Sequence, residues 1–144
     1  MYGAILGDII GSPFEFDRGD KTKNFDLFSE GCGFTDDSVM TIAVGEALLA
    51  VGKEATVKEI EEAVVTNMQD WGKRYPYAGY GGGFRHWLRE SNPKPYGSYG
   101  NGSAMRVSAA GWLYDSMERT REVARATANV THNHPEAVSY THLT

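Results

Sequence analysis

Thr35, Asp36 and Asp37 stand together at the head of an apolar stretch, GFTDDSVMTIAVGEALLAVG, that runs from Gly33 to Gly52. Two chemistries are open to them. Threonine is a good N-cap, and acids in a first helical turn complement the positive end of the helix dipole. A hydroxyl and two carboxylates are also hard oxygen ligands for Mg²⁺ or a similar cation. Neighbouring helical positions point about 100° apart, from 3.6 residues per turn. Adjacent aspartates therefore do not easily grip one ion from the same side, and they suit a two-metal site in which each acid favours a different ion. One turn supplies too few ligands to close such a site, so others must come from elsewhere in the chain.

Three further groups carry chemistry. In GDIIGSPFE, Asp8 is an acid inside an apolar segment, read as a hydrogen-bonded helix anchor. Glu15 follows a proline turn and is either a solvated loop residue or a general acid/base. Gly100-Asn101-Gly102-Ser103-Ala104-Met105-Arg106 runs from a glycine-rich loop into a helix start. It is either a turn with Ser103 as N-cap, or an anion site in which backbone amides meet a phosphate and Arg106 lies one turn in. The Gly-Lys-Ser/Thr ending of a P-loop is absent. Gly79 to Gly83 form a possible second nest, with Tyr80 or Phe84 placed to stack on a base, or a flexible connector. In THNHP, His132 and His134 are weak zinc evidence, since no further ligand cluster accompanies them. A capped helix end before Pro135 explains them as well, and a helix C-terminus would favour a partly protonated His. Cys32 has no local basic partner and is set aside as a nucleophile.

The elements that must position these groups read as helices. Tyr2 to Gly11 has apolar Ile5, Leu6, Ile9 and Ile10, with Gly3, Gly7 and Gly11 along one side. Each mid-helix glycine costs roughly 1 kcal/mol relative to alanine, so the stripe predicts close approach of another helix or a ligand. Residues 12 to 34 read as a loop. A second helix spans about Asp36 to Val51 and is apolar nearly all round, which predicts burial. Thr56 and Glu59 form a capping box ahead of a peripheral helix carrying Val57, Ile60, Val64, Met68 and Trp71 at three- and four-residue spacings. Residues 75 to 102 are too glycine-rich for a helix and too aromatic for a linker, and read as a structured binding loop. Helix resumes from Ser103 through SAMRVSAAGWLYDSM, and again from Thr120 to Val130. With no strand alternation, the expected fold class is all-α.

The 144 residues are enough for one domain with a real core. A net charge of −5 argues against a nucleic-acid polymer as partner, which would require a basic face. One cysteine makes no internal disulfide, and the opening MYGAILGDIIG lacks the basic start of a signal peptide. No apolar run approaches the roughly 18 residues of a membrane span. These features lead to the expectation of a cytoplasmic protein without membrane contact.

Taken in order, GAILGDIIGSPFE, FTDDSVMT, GYGGGF, GNGSAMRVSAAGW and ANVTHNHPE resemble the ADP-ribosylglycohydrolase family, which includes the dinitrogenase reductase-activating glycohydrolases. The resemblance implies a compact helical fold and a binuclear Mg²⁺ or Mn²⁺ centre. It also implies hydrolysis of the glycosidic bond joining ADP-ribose to a modified arginine or serine side chain, or to a related conjugate, with arginine favoured. By resemblance, Thr35, Asp36 and Asp37 are metal ligands, and Glu15, Asp36 and Asp37 are catalytic. Gly100, Asn101, Gly102, Ser103, Met105 and His132 would bind the substrate, while Asp8 is mainly structural.

Members of that family are roughly twice as long as this chain, and a later acidic D-x-x-x-D-[ST] segment completes their metal shell. That segment is missing here. The expectation is therefore an N-terminal portion of the domain over residues 1–136, with 137–144 departing from the family and not native to it. An ADP-ribose-binding module without catalysis, or an inactive helical fragment, are the alternatives this truncation leaves.

Overall fold

The computed structural model describes residues 1–16 and 22–142, and among these every regular element is a helix. Part of the loop expected over 12 to 34 lies outside the described residues, at 17–21, as do the last two residues of the expected tail. Helices α1 (Tyr2–Gly11), α2 (Asp36–Val51) and α3 (Val57–Arg74) come first, with a 3-10 turn at Ser12–Phe14 after α1. Helices α4 (Gly82–Trp87), α5 (Gly102–Met105) and α6 (Ser108–Leu113) are short. Helices α7 (Met117–Asn129) and α8 (Pro135–His142) close the described chain. No helix among the described residues is long and apolar enough to cross a membrane.

Helix α2 is the central post, packed against α1, α3 and α6. Val39, Met40, Ala43, Val44, Ala47 and Leu48 are all buried on it, as an all-round apolar helix requires. A fully buried Val, Leu or Met side chain contributes roughly 1.5–3 kcal/mol, so this post anchors everything attached to its head. Helix α3 lies against it through Ile60, Val64 and Met68. Its start is the capping box expected from Thr56 and Glu59, each side chain serving the other's backbone amide.

Several expectations are corrected. A Cβ added at Gly3, Gly7 or Gly11 meets no atom within 4 Å, so among the described residues nothing approaches the glycine stripe of α1. The segment expected to be too glycine-rich for a helix contains α4, which begins at Gly82 and is held by burial of Phe84 and Trp87. The single helix expected from Ser103 is broken at Arg106 and Val107 into α5 and α6. Arg106 turns into the interior there, while the preceding carbonyl, of Met105, accepts a hydrogen bond from Thr41 of α2. Helix α7 starts at Met117, ahead of the expected Thr120, because the Ser116 hydroxyl caps it by accepting from the Arg119 amide. A further helix that the periodicity does not predict, α8, begins at Pro135, and Ala137 within it is fully buried.

Candidate active site

The head of α2 is built by Asp8. This buried carboxylate accepts from the Thr35 amide at 2.8 Å and the Thr35 hydroxyl at 2.5 Å. It also accepts from the Ser38 amide at 3.1 Å and the Ser38 hydroxyl at 2.5 Å. The anchor role expected for Asp8 is thus realised: α1 is fastened to the first turn of α2 by four donors. The Thr35 hydroxyl in turn accepts from the Asp37 amide at 3.4 Å, as a helix cap does.

The same turn gathers acids. One carboxylate oxygen from each of Asp8, Glu15 and Asp37 lies within 4.8 Å of the others. Burial, followed by the charge of Asp37 and then those of Glu15 and Asp8, raises the Asp36 carboxyl from 3.8 to about 6, against its own backbone hydrogen bond. Burial and the charge of Asp8 also raise Asp37, opposed by its hydrogen bond with Thr35. Close, partly buried carboxylates that disfavour one another's ionisation are a ready cradle for a hard cation. As oxygen donors they fit Mg²⁺ or Mn²⁺ chemically. Asp36 stands outside the trio, as the divergence of neighbouring helical positions leads one to expect.

A cavity of about 520 Å³ opens beside these acids. Glu15, Asp36 and Asp37 line it together with Gly100, Asn101, Gly102, Met105 and His132. Gly79, Gly81, Gly82 and Gly83 supply a further part of the wall, together with Phe84, Tyr96, Ser98 and Arg106. That volume lies within the range of small-ligand sites, roughly 300–1,000 Å³. Gly79 has φ +106°, and a Cβ there would stand 3.5 Å from an Asp36 oxygen, so the loop passes Asp36 in a conformation that only glycine adopts without strain.

Two expected site residues are not among those lining the cavity. Thr35 is engaged with Asp8 and the Asp37 amide. Ser103 is fully buried, and its hydroxyl donates to the Ala137 carbonyl of α8. The short helix α5 begins after Asn101 without any side-chain cap, so Ser103 is not an N-cap either. Of the two rings expected to stack, Tyr80 is only 2% exposed and packs edge-on against Phe84 within the core, whereas Phe84 reaches the cavity wall.

His132 is buried, and burial, assisted by the charge of Arg106, lowers it from 6.5 to about 4. The expected dipole-favoured protonation is overturned: loss of solvent and a buried guanidinium outweigh a helix end. His134 lies outside the cavity lining, its Nδ1 accepting from the Glu136 amide. The positions of Tyr96 and Ser98 were not legible as site residues. Their amides both donate to the Thr131 carbonyl, and the Gly97 amide between them donates to Asn133, which folds this strap against the His132 segment.

A family model described as ADP-ribosylglycohydrolase matches residues 1–143. Among curated proteins, the ADP-ribosylhydrolase ARH3 of Homo sapiens is 33% identical to the chain, over 92% of this chain and 43% of that protein. The ARH3 proteins of Bos taurus and Mus musculus are 34% and 31% identical, again over 92% of this chain, and over 43% and 42% of their own lengths. The chain therefore spans about two-fifths of the length of the curated relatives it matches.

Proposed function

The chain belongs to the ADP-ribosylglycohydrolase family, and from that footing we propose that it takes part in metal-assisted hydrolysis of the bond joining ADP-ribose to a modified side chain, arginine first. The observation that carries this reading is the shared cavity: Glu15, Asp36 and Asp37 line the same space as the glycines that lead into α5. Asp36 and Asp37 would hold divalent ions, with Thr35 behind them and Asp8 and Glu15 adjoining. Bound there, Mg²⁺ or Mn²⁺ supplies positive charge that orients ribose hydroxyls and a water and offsets charge developing as the bond breaks.

The protein's own groups do the rest. Glycines at 100 and 102 let a diphosphate come close to the backbone, and Phe84 and Tyr96 border the space with aromatic surface. Glu15, which lines the cavity with Asp36 and Asp37, would take a proton from a water held there as the water oxygen bonds to the anomeric carbon. The bond from the anomeric carbon to the side-chain nitrogen or oxygen would break as that atom takes up the proton from Glu15. Holding the ribose beside that water supplies the orientation on which such a step depends.

The test is calorimetric titration with ADP-ribose, with and without Mg²⁺, alongside release of ADP-ribose from arginine-linked and serine-linked conjugates. Metal-dependent binding is expected, with little release by residues 1–144 alone and release from the arginine conjugate once the family's acidic D-x-x-x-D-[ST] segment is appended. Metal-independent binding without release from either conjugate would make the chain a binding module. Release from the serine conjugate alone would move the substrate assignment.

A further inference from the structure

Arg106 is 1% exposed and forms no ion pair among the described residues. One of its terminal nitrogens donates to the Thr127 carbonyl at 2.9 Å and to the Thr131 hydroxyl at 2.8 Å. The same Thr131 oxygen lies 2.6 Å from His132 Nδ1. A guanidinium only donates, so Thr131 must accept from Arg106, which leaves its oxygen one lone pair and its own proton. If His132 carried its proton on Nδ1, the threonine would accept twice. Its own proton would then need another acceptor, and among the described residues no other hydrogen bond of that fully buried hydroxyl is present. Buried donors are satisfied with few exceptions. With the hydroxyl donating to Nδ1, the Thr131 proton and the ring nitrogen are both served, while Arg106 Nε is left without a partner among the described residues.

We infer that Arg106 and Thr131 act as positioning residues that hold His132 in the Nε2–H tautomer, so that the ring offers the cavity a fixed proton donor beside the Gly100–Gly102 loop. The ring's free edge faces that loop: a Cβ added at Gly102 would lie 3.0 Å from both Cε1 and Nε2, and one at Gly100 would lie 4.0 Å from Nε2. The charge of Arg106 acts in the same sense, disfavouring a second proton on the ring. The group that His132 recognises is thus an oxygen acceptor, a phosphate or sugar oxygen, and the ring has no lone pair there with which to serve as a base. Naming ADP-ribose as the source of that oxygen rests on the proposed function; the tautomer does not.

The experiment is a long-range proton–nitrogen NMR correlation of the imidazoles in the ligand-free chain at neutral pH, with His132 assigned by loss of its signals in His132→Gln. A protonated Nε2 and a bare Nδ1 are expected, and a protonated Nδ1 overturns the inference. Thr131→Val should yield mixed tautomers and bind ADP-ribose roughly five- to tenfold more weakly, with Thr131→Ser restoring both. A folded Thr131→Val protein that keeps a pure Nε2–H ring would also overturn it. Should that variant fail to fold, the unsubstituted chain and Thr131→Ser still decide the tautomer. Nε2–H observed in a chain that binds no ADP-ribose would leave the tautomer standing and remove the ligand assignment.

Discussion

One oxygen of Asp8 accepts both the amide and the hydroxyl of Ser38, thirty residues later in the chain, at 3.1 and 2.5 Å. Its other oxygen takes the Thr35 hydroxyl. A single carboxylate thereby fixes where α2 begins, and so where Asp36 and Asp37 emerge. Asp8→Ala strands these donors in a largely buried place. The expected outcome is a loss of about 3 kcal/mol or more, since unsatisfied buried groups cost about 1–3 kcal/mol each. Urea denaturation checks it; a loss below about 1 kcal/mol would contradict the anchoring role.

Asp36→Asn and Asp37→Asn should leave far-UV helicity nearly unchanged, because Thr35 still caps α2. Both should abolish stabilisation by Mg²⁺. In the unsubstituted chain that stabilisation should approach about 2.7 kcal/mol at a hundredfold excess over the dissociation constant. Thermal melts with and without the ion make the comparison. If the variants melt lower but still respond fully to Mg²⁺, the two acids serve only the helix.

His132 makes stability depend on pH with a definite sign. Its folded value of about 4 lies below its unfolded 6.5, so the unfolded chain takes up the proton first. The contribution is fully present above about pH 6.5 and is lost as pH falls toward 4, to a total of roughly 3 kcal/mol. Asp36, raised from 3.8 to about 6, works in the opposite direction: it favours the folded state at low pH and loses that effect as pH rises through 6. The difference in stability between the unsubstituted chain and His132→Gln isolates the ring. It should grow as pH rises from 4 to 6.5, and a flat difference would refute the assignment.

Two glycines should respond oppositely to alanine. At Gly102 the new methyl would press on the His132 ring at 3.0 Å, so ADP-ribose affinity should fall by roughly tenfold, about the effect of a misplaced hydrogen bond or two. At Gly7 no atom lies within 4 Å, and the substitution within α1 should raise stability by about 0.5–1 kcal/mol. Calorimetry and denaturation read the two effects. A destabilised Gly7→Ala would mean that something does pack against the glycine stripe.

The sequence by itself determined the helical class, the bounds of α1 and α2, the capping box at Thr56 and the pairing of acids with a threonine at a helix head. These depend on neighbours three or four residues away, whose geometry a helix prescribes. It also placed Glu15, Asp36, Asp37, Gly100, Asn101, Gly102, Met105 and His132 among the candidates that line one cavity. Only the tertiary structure decided which side chains face that space. Ser103 and Tyr80 turn inward because α8 and Phe84 meet them there, and Arg106 breaks a helix to enter the core. The state of His132 was likewise out of reach. It hangs on a guanidinium more than twenty residues earlier in the chain, and on loss of solvent that no local spacing encodes.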